Sequence, residues 1–459
     1  MRDRQSAIKR PNILFLIADD HRFDGIGAYG NPVVKTPTLD QLAATGVLYE
    51  SIYTMGGQTA ALCVPSRACL LTGANVFKAT VTANEVSLGE TENPALWALN
   101  PALATLPETF RREGYRTFGI GKWHNGKESF ARSFSGGAKI FFGGMADHTG
   151  LALHDYDPTG LYPAEAACPD DAFSSELFAE AAIDFIRGYQ EDDPFFLYVA
   201  FTAPHDPRTP PKAYSDLYPA GDIPLPENFW TEHPFDNGES DVRDERLASF
   251  PRAPSEIRQH LADYYGMITH LDTQIGRIFQ ALDERNQTER TIVVYTADHG
   301  LALGQHGLLG KQNVYEHSIH VPLIMRGPGL PQGVEVGGLG CQIDIFPTLS
   351  ELTKTPLPDT VEGRSLIPLI SGEKTAIRES VFSVYKNYQR MISDGRWKFI
   401  RYYRSEGKGT DLIQLFDLFN DPWEIQNLAE DSAQHNHIRR LEEELLRWQI
   451  SVGDPILHQ

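Results

Sequence analysis

Four short runs dominated by apolar, β-branched and aromatic residues punctuate the chain at residues 12–18 (NILFLIA), 116–120 (RTFGI), 195–201 (FFLYVAF) and 291–296 (TIVVYT). Runs that stay apolar without alternating predict parallel strands buried on both faces. Between them the hydrophobic period lengthens to that of a helix. Residues 176–187 place Leu177, Phe178, Ala181, Phe185 and Ile186 on one face, and residues 255–282 repeat Ile257, Leu261, Tyr264, Ile268, Leu271, Ile275 and Leu282 at turn spacing. Ser255 is the expected N-cap of the second helix. Strands alternating with helices predict an α/β fold, a large mixed and mostly parallel sheet with helices on both faces. After about Pro356 the pattern changes. Residues 366–379 read as a linker, residues 380–403 and 412–418 as short alternating strands, and residues 433–449 as a closing helix. A catalytic domain over 1–365 is therefore expected, followed by a smaller α+β subdomain over 366–459 with an antiparallel sheet.

Each apolar run ends in polar residues. Asp19-Asp20 follows the first, Lys122-Trp123-His124 the second, Pro204-His205-Asp206 the third and Asp298-His299-Gly300 the fourth. In open α/β sheets the ligand crevice lies outside the carboxyl ends of the strands, so four such ends predict one catalytic site. Adjacent carboxylates such as Asp19 and Asp20 repel each other unless a cation neutralises them, which points to a metal.

The chain has 459 residues, with 41 Lys plus Arg against 61 Asp plus Glu and a formal net charge of -20. Such a field repels nucleic acid and anionic membrane surfaces. No stretch approaches the roughly 20 apolar residues of a membrane span. Residues 1–10 are polar and basic with no apolar leader segment. Four cysteines are too few and too scattered for a disulfide framework or a zinc site, and Cys63 and Cys69, six apart on one predicted helix, point to different faces.

The run LCVPSRACLLTG at residues 62–73 resembles the signature of the sulfatase family, formylglycine-dependent members of the alkaline phosphatase superfamily. Gly121-Lys-Trp-His, Ala203-Pro-His-Asp-Pro, His306-Gly-Leu-Leu-Gly-Lys, the Val321-Pro-Leu-Ile block, and the C-terminal runs MISDGRWKFIRYY and LFDLFNDPWEIQNLA extend the likeness over nearly the whole chain. The resemblance implies an alkaline phosphatase-like fold and hydrolysis of a sulfate ester on a saccharide. It implies that Cys63 is oxidised by a maturation enzyme to Cα-formylglycine (3-oxoalanine), and that Asp19, Asp20, residue 63, Asp298 and His299 hold one divalent cation. Calcium is the expected ion, with Mn2+ or Mg2+ as alternatives; the family carries Asn or His at the position of His299. By the same likeness Arg67 orients the nucleophile and Lys122 contacts sulfate. His124 serves as base, while His205 and Lys311 bind sulfate and assist the leaving alcohol.

Trp123, His148, His154, Arg208, Tyr315, His317, Tyr388 and Arg390 are candidate sugar contacts, because aromatic rings stack on sugars and Arg pairs with a uronate. Two other readings stay open: a formylglycine-dependent phosphonate monoester or phosphodiester hydrolase, and an unmodified carbohydrate-binding relative. Export to the periplasm or medium is expected if a signal has been removed, and a cytoplasmic location if the chain is complete.

Overall fold

The computed structural model describes residues 10–81 and 98–458; of the N-terminal stretch read as lacking a leader, residues 1–9 lie outside this range. A nine-stranded sheet runs in the order Val334–Val336, Val47–Tyr53, His320–Arg326, Thr291–Ala297, Asn12–Ala18, Phe195–Ala200, Arg116–Lys122 and Gly136–Phe141, with Gly340–Cys341 also paired to Val47–Tyr53. Pairing is parallel throughout except at His320–Arg326, which is antiparallel to both neighbours. The four strands expected from apolar runs lie side by side. Every residue of Asn12–Ala18, Phe195–Ala200 and Thr291–Ala297 is buried, which is why these segments carry no polar alternation.

Three strand bounds differ from expectation, the fourth strand running one residue further, to Ala297. The second strand continues to Lys122 because Gly121, at φ +82°, sits where a Cβ would be 2.0 Å from the Ala200 carbonyl, and only glycine fits. The third strand ends at Ala200 rather than Phe201. Val47–Tyr53 and His320–Arg326 have no counterpart in the sequence reading. The first is interrupted by Glu50 and Ser51, and the second contains Pro322, where the register shifts between Val321 and Leu323.

Helices Ser174–Gly188 and Pro254–Glu284 carry the predicted apolar faces. Ser255 is not the N-cap. Ala253 occupies that position, and Pro254, with its fixed φ and missing N–H, takes the first helical place.

The C-terminal sheet is an antiparallel meander of Val381–Tyr385, Gln389–Ser393, Trp397–Tyr402 and Leu412–Asp417, packed against helix His435–Val452. Its edge accepts one more strand, Gly56–Gly57, in parallel. The segment just ahead of Cys63 is thereby pinned to the C-terminal sheet. The expected linker contains one helical turn, Ile367–Ile370. Among the described residues no helix is long and apolar enough to cross a membrane.

Candidate active site

Strand register gathers the chemistry. Ala18 faces Ala297, Ile17 faces Ala200, and Ala200 faces Gly121, so the chain leaves four adjacent strands at one level. The Asp298 N–H then bonds to the Ala18 carbonyl at 3.1 Å, and the Asp19 N–H to the Ala203 carbonyl at 3.1 Å. From the long helix Pro254–Glu284, the Tyr264 hydroxyl donates to the Asp20 carbonyl at 2.7 Å. Asp20 and His124 adopt φ +64° and +59°. Left-handed backbone at such residues costs on the order of 1 kcal/mol or more and persists only where its surroundings enforce it.

Helix Cys63–Thr72 brings the fifth component, and its packing accounts for Ser66, Arg67 and Gly73 of the motif. Gly73 ends it at φ +65°, its N–H closing on the Cys69 carbonyl at 2.8 Å. Ser66 Oγ bonds the Asp298 carbonyl and lies 2.7 Å from Gln342 Oε1. One turn after Cys63, Arg67 donates from Nε to Asp298 Oδ2 at 2.7 Å and from Nη1 to the Lys122 carbonyl at 2.9 Å.

The Cys63 thiol donates to Asp19 Oδ1 at 3.1 Å and lies 3.8 Å from Asp20 Oδ1. Lys311 Nζ sits 2.8 Å from the sulfur and 2.7 and 2.8 Å from the Asp20 oxygens, while Lys122 Nζ bonds Asp19 Oδ2. His205 Nε2 is 3.5 Å from Asp20 Oδ2. Ligand atoms of Asp19, Asp20, Cys63 and His205 all lie within 4.8 Å of one another.

This tight group takes in His205, where the resemblance implied Asp298 and His299. Both oxygens of Asp298 are already engaged, Oδ1 by the Asp20 N–H at 3.1 Å and Oδ2 by Arg67. His299 bonds the Gly300 carbonyl through Nδ1 at 2.8 Å, and its Nε2 is buried without a partner.

Three buried cations, Arg67, Lys122 and Lys311, thus face three buried carboxylates, Asp19, Asp20 and Asp298. Burial alone would raise the Asp19 carboxyl, but Lys122, His205, Arg67 and Lys311 together hold it well below the usual range. Asp298 goes the other way: burial and the Asp19 charge push it up to about 6 despite Arg67. Burial also drops His299 to about 4, and burial with Lys122 holds His124 well below the usual imidazole range. With His124 and His299 neutral, the three cations only balance the three carboxylates and leave no spare positive charge for an anion.

The donor set fits a divalent cation, which would supply that charge. It offers clustered carboxylate oxygens, and the unpartnered Nε2 of His299 leaves an imidazole donor free. Ligands must be deprotonated to bind a metal. Were Asp298 among the ligands, its raised pKa would make metal affinity of the metal-free protein approach its full value about one unit above pH 6 and fall by about tenfold per unit well below it. Calorimetric titration with Ca2+ at pH 5 and pH 7.5 checks this; an unchanged constant contradicts it.

A cavity of about 250 Å³ opens above the sulfur, lined by Cys63, His124, His205 and Lys311. Arg67 and Lys122 are buried and do not line it. Ala60, Ala61, Gly144, Met145, Val242, Arg243, Asp244 and Gln312 complete the wall. Gln312 directly follows Lys311. Arg243 and Asp244 come from a polar stretch, DNGESDVRDER at 236–246, which carries no pattern other than that of a solvated loop.

None of the eight candidate sugar contacts lines this cavity. Trp123 is packed edge-on against Phe130 and Phe134, its Nε1 on Ser129. His148 lies behind the site, 3.0 Å from the Ser174 hydroxyl and from the His205 carbonyl. His154 packs on Phe142 and Tyr162, and Arg208 sits against His260. Tyr315 stacks on His306 and donates to Gln414, with His317 buried in the same group. Tyr388 packs under Gly238, and Arg390 forms a fully buried ion pair with Asp454 at 2.6 Å. The physical reason is common to most of them. Large rings stabilise a core by roughly 25 cal/mol per Å² buried, and the fold uses them there before a ligand can.

The sulfatase family matches residues 11–355, and the family described as N-sulphoglucosamine sulphohydrolase, C-terminal, matches residues 304–451. The chain is 25% identical over 495 residues to the N-acetylglucosamine-6-O-sulfatase of Bacteroides thetaiotaomicron, covering 94% of this chain and 83% of that one. A solved structure in complex with its substrate D-glucosamine-2-N,6-O-disulfate is similar at TM-score 0.80 and 22% identity, over 97% and 99% of the two chains. The phosphonate monoester hydrolase of Agrobacterium radiobacter is similar at TM-score 0.75 and 25% identity, over 98% and 97%. With most of its length matched and its strand-end residues gathered around Cys63, the chain belongs to the sulfatase family, the sulfuric ester hydrolases.

Proposed function

We propose that this protein hydrolyses a sulfate ester on a saccharide, using Cys63 after its oxidation to formylglycine and a divalent cation, calcium by the oxygen-rich donor set. The observation that carries the reading is the position of Cys63 on the cavity floor against Asp19, Asp20 and Lys311. As encoded, the thiol is a poor nucleophile, because burial and the Asp19 and Asp298 charges push it well above its ordinary pKa. Oxidised and hydrated, the side chain would carry two hydroxyls, one to attack sulfur and one whose deprotonation expels sulfate. A cation held by Asp19, Asp20, residue 63, Asp298 and His299 would neutralise charge on the transferring group.

The chain's own residues account for the remaining work. Lys311 lies against residue 63 and Lys122 against the neighbouring Asp19, from where both would stabilise sulfate oxygens, and Arg67 fixes Asp298. His205, with Lys311, is placed to protonate the leaving alcohol. His124, unprotonated at neutral pH, is able to accept the proton that release of sulfate requires. Cys63 is 2% exposed, so a maturation enzyme must reach it before this helix packs. The relative named as an N-acetylglucosamine-6-O-sulfatase favours a saccharide ester. The division into a catalytic domain over 1–365 and a subdomain over 366–459 is part of the same proposal.

A phosphate diester or phosphonate is the second reading, favoured by the fold shared with the phosphonate hydrolase. The test pairs intact mass with kinetics. The active chain should be lighter than encoded, having exchanged sulfur for oxygen and shed two hydrogens. Its kcat/KM for a sulfated monosaccharide should exceed that for a matched phosphate diester by at least about 100-fold, some 2.7 kcal/mol of transition-state preference. Faster diester cleavage would replace the proposal with the second reading. Saccharide binding without turnover by a chain of unaltered mass would make it a carbohydrate-binding protein.

A further inference from the structure

One guanidinium shared between two carboxylates forms the mouth of the cavity. Arg243 donates to the Asp206 oxygens at 2.5 and 2.9 Å, and to Asp244 Oδ1 from Nε at 3.0 Å and from Nη2 at 2.6 Å. Its remaining Nη1–H meets the Met145 sulfur. A guanidinium has five N–H groups, and all five are engaged. Asp244 also accepts from Gln312 Nε2 at 2.8 Å. Asp206 belongs to the loop of His205, whose Nδ1 lies 3.3 Å from its carboxylate.

The charge at this mouth follows. Arg243 is 44% exposed and well screened, whereas Asp206 and Asp244 are 8% and 13% exposed and act through less solvent. Asp206 and Arg208 both stand outside the lining and next to each other, and counting both brings the group at most to neutrality. The other cation in the lining, Lys311, is committed at the floor to Asp20 and Cys63. Among the described residues lining the cavity, then, none offers an unpaired cation at solvent depth. An ester's own sulfate reaches a floor that a bound cation would make positive, but a second anion one sugar ring nearer solvent meets the Asp244 carboxylate in the lining, with Asp206 paired to Arg243 just outside it.

Resting on the sulfatase reading above, we infer that the site selects a singly charged ester, one sulfate on an otherwise neutral sugar, and that Asp244 rejects a second sulfate or a carboxylate beside the scissile bond, Asp206 serving to hold Arg243. Asp244 keeps lone-pair capacity for a sugar hydroxyl, so a neutral ring is bound as well as tolerated. Like-charge rejection of this kind sets specificity rather than overall affinity.

The test compares singly sulfated N-acetylglucosamine with doubly sulfated glucosamine, both sulfated at the same scissile position, using the mature, metal-loaded enzyme. The kcat/KM should favour the singly charged ester by at least about tenfold at low salt, and the ratio should shrink as salt screens the repulsion. Asp244→Asn should raise turnover of the doubly charged ester relative to the other, whereas a merely structural role for Asp244 would lower both alike. Equal or better use of the doubly charged ester, or a ratio indifferent to salt and to Asp244→Asn, overturns the inference. Failure to release sulfate from any ester, nitrophenyl sulfate included, instead removes the sulfatase reading beneath it.

Discussion

Cys63→Ser is expected to leave a folded protein with steady-state turnover reduced by about 10⁴-fold or more, the scale on which loss of an essential nucleophile is felt. The hydroxyl would stand where the thiol now donates to Asp19 at 3.1 Å, beside Lys311, so attack on sulfur remains geometrically open. What serine lacks is a second hydroxyl on the same carbon. Once sulfated, it offers no group whose deprotonation by His124 could expel the product, and the site stalls after one event. Rapid-quench measurement should therefore show at most one equivalent of alcohol released per chain, followed by a flat line, with a mass increase on the protein. Sustained multiple turnovers from Cys63→Ser would falsify the proposed role of the modified side chain. Stability should change little, since the substituted atom keeps its acceptor and its volume changes slightly.

Arg67→Ala is expected to have the largest effect on stability, a loss of about 3–5 kcal/mol in metal-free protein, because removing one partner of a buried pair leaves an uncompensated charge. Arg67 and Asp298 are both fully buried, and the same guanidinium reaches the Lys122 carbonyl and stands 3.8 Å from Asp19. Its loss strands a carboxylate between two others and frees a carbonyl, so sulfate ester hydrolysis should fall along with stability. A bound divalent cation partly replaces the missing charge, and added metal should recover part of the loss in urea-induced unfolding. Arg67→Lys should be intermediate, keeping the charge while losing the fork that bonds Asp298 and the Lys122 carbonyl together. An Arg67→Ala protein as stable as the parent, with or without metal, would contradict this account of the site's electrostatics.

These two side chains illustrate what could be read along the chain. Cys63 and Arg67 lie one turn apart in a motif whose Ser66 and Gly73 have local duties, an anchoring hydroxyl and a left-handed helix stop, and local duties leave letters in a sequence. The polar residues at strand ends are legible for a similar reason, since a fully buried strand excludes polar residues until it emerges. The candidate sugar contacts lie outside the cavity lining because residue type is ambiguous: Trp123, Tyr315 and Arg390 are as well suited to a core, a stack or a buried ion pair as to a ligand, and the fold placed them there.

The chain's own order of residues determined the central strands, the two long amphipathic helices and the set of polar strand ends, because burial and helical period act over a few neighbours. Tertiary structure alone decided which of those ends meet, that Gly56–Gly57 joins the C-terminal sheet, and that Arg243 and Asp244 stand at the cavity mouth. Those outcomes depend on register and packing between segments far apart in the chain, where no local pattern records which side chain will face which.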